Sequence, residues 1–180
     1  MTTPSSKSHA RIAAERTTTW LWYVGAIRII VLLVIAVGVY VLPGAADPLL
    51  VPFLILFYLF GITACGVHMA LLQTQWQTSS LLTWAQLLID FGVVAATVNS
   101  SGGSASLFTF LFVVVILEAG LFLGIAQGFL FATFAVIFMG VEFSLSLDNA
   151  FSLNVGYAFL VQALAYYLTA AISGYWNMRL

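Results

Sequence analysis

Six apolar stretches, each about long enough to cross a bilayer, fill most of this 180-residue chain. A membrane-spanning helix needs about 20 mostly apolar residues, and the stretches are continuous rather than alternating, which argues against spanning β-strands. The chain is 63% hydrophobic and 6% charged, and a soluble domain of this size could not bury so much apolar surface. The sequence therefore predicts an all-α, polytopic membrane protein with six transmembrane helices. Their expected bounds are 20–42, 52–72, 81–98, 106–123, 128–143 and 155–176.

Few polar groups remain to carry chemistry, and this limits the functions open to the chain. The formal net charge of −1 provides no basic surface for nucleic acid, so we expect no nucleic-acid partner. A lone cysteine, Cys65, cannot form an intrachain disulfide or a multi-cysteine metal site. The sequence contains no nucleophile–base pair and no phosphate-binding loop. We therefore expect a non-enzymatic protein without a metal or another cofactor, embedded in the lipid bilayer.

Basic residues predict how the helices are oriented. Three of them precede the first apolar stretch and Arg179 follows the last, whereas the connections after the first and fifth stretches hold aspartate but no Lys or Arg. Because Lys and Arg concentrate on the cytoplasmic side of a membrane, we expect both termini in the cytoplasm. Residues 1–19 then form a polar, basic cytoplasmic segment, residues 20–176 the six-helix membrane domain, and residues 177–180 the start of a cytoplasmic extension.

Three ionisable residues, Arg28, Asp90 and Glu118, fall well inside the predicted helices. A charge at the bilayer centre costs about 2.5–3.5 kcal/mol on insertion scales, so such residues usually pair or line a wet cavity. With a rise of about 1.5 Å per residue, they lie about 12, 14 and 9 Å, respectively, from the cytoplasmic ends of their helices. The sequence predicts a buried ionic cluster at this depth, with Asp90 as the best partner for Arg28. We also expect Gln86 to form a hydrogen bond between helices.

Other interpretations of these charges stay open at this point. Arg28 could extend its side chain to the cytoplasmic headgroups, because the aliphatic part of an arginine reaches several ångströms. A paired cluster, in turn, could be a structural contact that ties helices together. It could also be a sensing or proton-relaying element, as intramembrane charges often are.

The third stretch and its exit resemble a known family. Asp90 is followed by Thr97 and by the turn Ser-Gly-Gly-Ser-Ala-Ser at 101–106. This is similar to the membrane region of PilS-type sensor histidine kinases, where an aspartate in the third helix precedes a Thr/Ser-Gly-Gly-x-x-Ser turn that opens the fourth helix. Arg28, which follows an aromatic cluster, resembles an arginine of their first helix. The tight hairpin that we expect at 124–127 resembles the turn between their fourth and fifth helices.

The resemblance implies a membrane input module of a two-component sensor histidine kinase. Such a module detects a membrane or periplasmic cue and signals through its sixth helix, in the cytoplasmic (inner) membrane of a bacterium. Thr97, Gly102, Gly103 and Ser106 are then a candidate sensing or turn motif. The resembled kinases act as dimers, so a homodimer or a larger membrane assembly is expected.

The resemblance leaves alternatives for the role of the chain. The phosphoacceptor histidine and ATP-binding motifs of such kinases are absent from these 180 residues. The last residues lack a Gly or Pro stop signal, which favours a fragment of a longer sensor over a complete protein. An accessory, structural subunit of a larger membrane complex is the alternative function. A small proton-coupled carrier using Asp90 and Glu118 is a third, although the inverted repeat usual in transporters is not visible.

Overall fold

The computed structural model describes residues 23, 25–38, 41, 51–71, 80–145 and 153–179. Within these residues every regular element is helical and no strand occurs, so the predicted all-α fold is confirmed. The predicted boundaries of the first helix, and the loops after the first, second and fifth helices, lie wholly or partly outside the described residues. The described helices are α1 (Gly25–Gly38), α2 (Val51–Leu71), α3 (Ser80–Ser100), α4 (Leu111–Phe122), α5 (Ile125–Leu145) and α6 (Leu153–Asn177).

The helices have the length and surface that a bilayer requires. Four of them, α2, α3, α5 and α6, are long and apolar enough to cross a membrane, while α1 and the helical stretch Leu107–Phe122 are apolar but shorter. Large apolar side chains such as Leu33, Phe53 and Leu164 are about half exposed or more on the outside of the bundle. In lipid, backbone polar groups can be satisfied only within the helix itself or by neighbouring protein, so continuous apolar sequence folds as helix. These features support a multi-pass membrane protein.

The turn between α3 and α4 departs from the predicted start of the fourth helix at 106. Two short 3₁₀ turns, Gly103–Ala105 and Leu107–Phe110, precede the α-helix, which begins at Leu111. Ser106 between them is extended, and its Oγ accepts a hydrogen bond from the Phe108 N–H at 3.1 Å. A serine that caps a helical turn in this way has non-helical backbone angles, so helical structure begins at Leu107. The first turn, Leu107–Phe110, is 3₁₀, and the α-helix therefore begins five residues later than expected.

The hairpin between α4 and α5 is shorter than the predicted 124–127 connection. Helix α4 ends at Phe122 and α5 already begins at Ile125, three residues before the expected start at 128. Gly124 has φ +107°, a conformation that residues with a side chain rarely adopt, so one glycine is enough to reverse the chain. The Gly128 N–H then donates to the Gly124 carbonyl at 3.0 Å, which is the first helical bond of α5.

All six described helices contribute buried residues to the core, and aromatic rings of α3, α4, α5 and α6 form its centre. The ring of Phe112 in α4 lies 5.2 Å from that of Phe91 in α3 and 6.1 Å from that of Tyr166 in α6. Phe131 of α5 packs edge-on against Phe91 at 6.1 Å. Tilted and edge-to-face contacts of this kind are the favoured geometries of aromatic pairs, so this cluster orders the four helices around one centre.

Glycines bring α4, α5 and α6 almost into backbone contact at one end of the bundle. A Cβ atom placed on Gly120 would lie 1.9 Å from Ser173 Oγ, and one on Gly174 would lie 2.5 Å from Ile125 Cα. A Cβ atom on Gly128 would lie 3.1 Å from Gly120 Cα. Small residues permit such close crossings in membrane bundles, where van der Waals packing holds helices together.

Candidate functional site

Arg28 connects α1 to α4 through Glu118. Its Nε donates a hydrogen bond to Glu118 Oε2 at 2.9 Å, and its Nη2 donates to the same oxygen. Both side chains are only 12% exposed. The guanidinium thus points into the bundle and pairs with a carboxylate there, which is not the extension to the headgroups considered from the sequence. A charge-assisted pair of this kind is stronger than a bond between neutral groups.

Asp90 belongs to the same cluster but is not the principal partner of Arg28. Its Oδ2 lies 3.3 Å from Arg28 Nε, yet this oxygen has no hydrogen-bond partner among the described residues, because the Nε–H is directed at Glu118. The other oxygen, Oδ1, accepts a hydrogen bond from Gln86 Nε2 at 2.9 Å. The expected ion pair between Arg28 and Asp90 is thus present, but the guanidinium directs its hydrogen bonds to Glu118, which the depth estimate did not indicate. Depth along the bilayer normal does not specify how each helix is rotated about its axis. That rotation decides which carboxylate lies next to the guanidinium.

Within the described part of the chain, Gln86 forms a hydrogen bond along its own helix rather than between helices. It lies four residues before Asp90 in α3, a spacing that places two side chains on the same face. The expected interhelical hydrogen bond of Gln86 is thus replaced by one that orients the Asp90 carboxyl. The spacing of four was visible in the sequence and could have predicted this contact.

A cavity of about 60 Å³ adjoins the three charged side chains. The lining residues come from α1, α3 and α4, and Arg28, Asp90 and Glu118 form the polar part of the lining. The described residues contain no group of three His, Cys, Asp or Glu side chains placed to hold a metal ion. In these apolar surroundings the guanidinium and the two carboxyl groups can hold opposite charges, share them, or exchange ion-pair partners. The apolar walls of the cavity are formed by Ile27, Val31, Leu32, Ile35, Val94, Leu111, Val114 and Val115.

Thr97 lies about two helical turns beyond Asp90 on α3 and ties that helix to α2. It is 1% exposed, and its Oγ1 donates to the Val93 carbonyl at 2.7 Å. The hydroxyl of Tyr58 lies 2.8 Å from the same Oγ1. Because the Thr97 proton is directed at Val93, Tyr58 is the donor of the hydrogen bond between the helices. Tyr58 was missed in the sequence, where an aromatic residue in an apolar stretch gives no sign of a polar contact.

The remaining motif residues shape the turn that follows α3. Gly102 and Gly103 have φ +110° and +59°, which explains why glycines occupy both positions. Ser101 Oγ and Ser106 Oγ are 2.5 Å apart and hold the two sides of the turn together. A Cβ atom on Gly103 would lie 2.6 Å from Glu142 Oε2, so the carboxylate of α5 packs directly on the glycine backbone. The structure thus gives these residues a role in turn geometry, while a sensing role stays a prediction.

The comparison with protein families decides the relationship of the chain. The model of the PilS-like transmembrane domain matches residues 10–180. The chain belongs to this family. The resemblance seen in Asp90 and the 101–106 turn is thereby confirmed for nearly the whole length. Searches of curated proteins and of solved structures found no match.

Proposed function

We propose that this chain is the membrane input module of a two-component sensor histidine kinase. The observation that carries the proposal is membership of the PilS-like transmembrane domain family over residues 10–180. The module receives a membrane or periplasmic cue and transmits it to a kinase core through α6. Its bilayer is the bacterial cytoplasmic membrane, with both termini on the cytoplasmic side.

The packing of α6 supports its role as the output element. Ser173 and Gly174 of this helix press against Gly120 and Ile125, which flank the hairpin between α4 and α5. Near the end of α6, Asn177 Nδ2 donates to the Leu121 carbonyl at 2.5 Å. With so little free space between the helices, a shift of α4 displaces α6 as well, because packed interfaces transmit motion rather than absorb it.

The ionic cluster supports the other requirement of a sensor, an element with two arrangements. A cue can shift a conformational equilibrium only if its contacts differ between two states. Arg28 stands between two carboxylates on different helices and hydrogen-bonds one of them, Glu118, while Asp90 lies within 3.3 Å. Exchange of the guanidinium hydrogen bonds from Glu118 to Asp90 would replace a polar link between α1 and α4 by one between α1 and α3.

A fusion protein tests the proposal. Residue 180 is joined to the cytoplasmic dimerisation and catalytic domains of a histidine kinase, and zero to four alanines are inserted at the junction. Autophosphorylation of each fusion protein is then measured in membrane vesicles. Activity should rise and fall with a period near one helical turn, about 3.6 residues. Activity that is independent of the insertions would contradict signalling through α6 and favour a structural subunit. The coding sequence beyond residue 180 provides a second test, since a kinase core should follow in frame.

The orientation and assembly have their own measurements. In a chain with Cys65 replaced by alanine, membrane-impermeant maleimide should label a cysteine at Ala46 or Asn149 from outside and spare one at Ser6 or Thr78. Labelling at Thr78 would contradict the six-span topology.

Cysteines placed one at a time from 159 to 176 should crosslink two copies with a helical period if α6 lines a homodimer interface. Uniform crosslinking would contradict that interface.

A further inference from the structure

The charges of the ionic cluster do not balance. One guanidinium, Arg28, faces two carboxyl groups, Asp90 and Glu118, at membrane depth. With both carboxyls ionised the cluster has one excess negative charge in an apolar environment, and such a charge is expensive unless something compensates it. Either a proton or a cation must therefore accompany the cluster.

The hydrogen bonds indicate where the compensating charge belongs. Glu118 Oε2 accepts hydrogen bonds from two nitrogen atoms of Arg28, so the guanidinium is the direct partner of this carboxyl group. Asp90 Oδ2 is buried and accepts no hydrogen bond from the described residues, while Oδ1 already accepts one from Gln86. A buried anionic oxygen without a donor is the most costly member of the cluster, and one bound proton removes that cost.

We propose that Asp90 Oδ2 is a proton-binding site, occupied at neutral pH, beside the cavity that α1, α3 and α4 enclose. This inference concerns the chemistry of the chain itself and stands whether or not the chain controls a kinase. A metal cation is the poorer fit, because such ions need several oxygen ligands and the cavity walls are otherwise aliphatic.

Among the residues that the structure describes, the other titratable groups near the site do not supply the missing charge. On α2, Cys65 and His68 lie within electrostatic range of Arg28, and Cys65 also of both carboxyls. A positive charge on His68 would be repelled by the guanidinium, and its Nδ1 has no hydrogen-bond partner among the described residues. On α1 and α4 the charged groups that face Asp90 are Arg28 and Glu118 themselves.

The cavity provides a path for the proton. A water molecule needs about 10–15 Å³ and a few polar partners, and the cavity has about 60 Å³ with the three charged side chains along one side. Asp90 Oδ2 itself exposes no surface to water, so exchange of its proton with water in the cavity requires a small movement of the surrounding side chains. Release of this proton would restore a second carboxylate beside Arg28.

Infrared spectroscopy of the full chain tests the assignment, and the sequence suits it because only six side-chain carboxyls are present. The protein is reconstituted in phosphatidylethanolamine–phosphatidylglycerol vesicles at neutral pH, and the carbonyl stretch of protonated carboxylic acids is recorded in H₂O and D₂O. The wild type and the matched control Glu142→Gln should both show a band that shifts in D₂O. Asp90→Asn should lose that band while keeping the helical circular dichroism spectrum.

Each other outcome contradicts the proposal. Absence of the band in the wild type would mean that Asp90 and Glu118 are both ionised. A band that appears only when choline replaces sodium in the buffer would mean that a sodium ion, rather than a proton, occupies the site. A band that survives Asp90→Asn, or that disappears in Glu142→Gln, would place the proton elsewhere. Failure of Asp90→Asn to fold would also count against it, because a neutral amide of the same size should replace a neutral acid without loss of the fold.

Discussion

Arg28 and Glu118, which lie 90 positions apart in the chain, meet through two hydrogen bonds to one carboxylate oxygen. This contact joins α1 to α4, and both of its side chains are only 12% exposed. Each charge alone would be costly at membrane depth, and pairing inside the bundle, away from lipid, compensates part of that cost. The position of α1 therefore depends on this ion pair as well as on the packing of Leu32 and Ile35 in the core, whereas α4, α5 and α6 approach one another closely at their glycines.

The hydrogen bond between Tyr58 and Thr97 predicts an asymmetric pair of mutants. Tyr58→Phe removes a donor and should lower the free energy of unfolding in mixed micelles by about 0.6 kcal/mol, the average for interhelical bonds in a membrane. Thr97→Val should cost more, because the Tyr58 hydroxyl is then buried without its acceptor. The double variant should be less destabilised than the sum of the two single variants. Strict additivity would show that the two hydroxyls do not interact.

The turn after α3 predicts that Gly103 cannot be replaced freely. Gly103→Ala forces a side chain into the left-handed region, at about 1–2 kcal/mol, and drives its Cβ into the Glu142 carboxylate. Combining it with Glu142→Ala should recover the steric part of the loss and leave the backbone part. Gly92→Ala serves as the control, since a Cβ there meets nothing within 4 Å. Equal unfolding free energies for Gly103→Ala and Gly92→Ala would contradict this turn geometry.

The contact between α4 and α6 predicts a steric suppressor. Gly120→Ala places a Cβ against Ser173 and should destabilise the domain by about 1–3 kcal/mol, the usual cost of overpacking. Ser173→Gly removes both of the nearest side-chain atoms and should restore part of that loss in the double variant. Gly66→Ala, where a Cβ meets nothing within 4 Å, provides the comparison. If Gly120→Ala and Gly66→Ala unfold alike, α4 and α6 do not cross at Gly120.

Hydropathy and turn residues were enough to predict the helices, because apolar length and breakers act locally. The expected bounds of the third helix, 81–98, differ from Ser80–Ser100 by one and two residues. The fourth and fifth helices were placed less well at their starts. A serine cap at Ser106 and a single left-handed Gly124 changed the lengths of the turns, and both depend on backbone angles that composition does not reveal.

The candidate site was predictable in its members but not in its pairing. The cost of buried charge and the common depth were sufficient reasons to group Arg28, Asp90 and Glu118. Which carboxylate binds the arginine depends on helix rotation and on which helices are neighbours, and both are properties of the packed bundle. The contact of Tyr58 with Thr97 was hidden for the same reason, since neither residue is unusual within its own helix.

A pair of double-mutant cycles in mixed micelles tests most directly whether Arg28 binds Glu118 in preference to Asp90. The free energy of unfolding is measured for Arg28→Gln, Glu118→Gln and Asp90→Asn, and for the two double variants that contain Arg28→Gln. The account predicts a coupling energy of about 0.5–3 kcal/mol between Arg28 and Glu118, the range for residues in contact, and a smaller one between Arg28 and Asp90. Additive effects of Arg28→Gln and Glu118→Gln, or a larger coupling to Asp90, would contradict it.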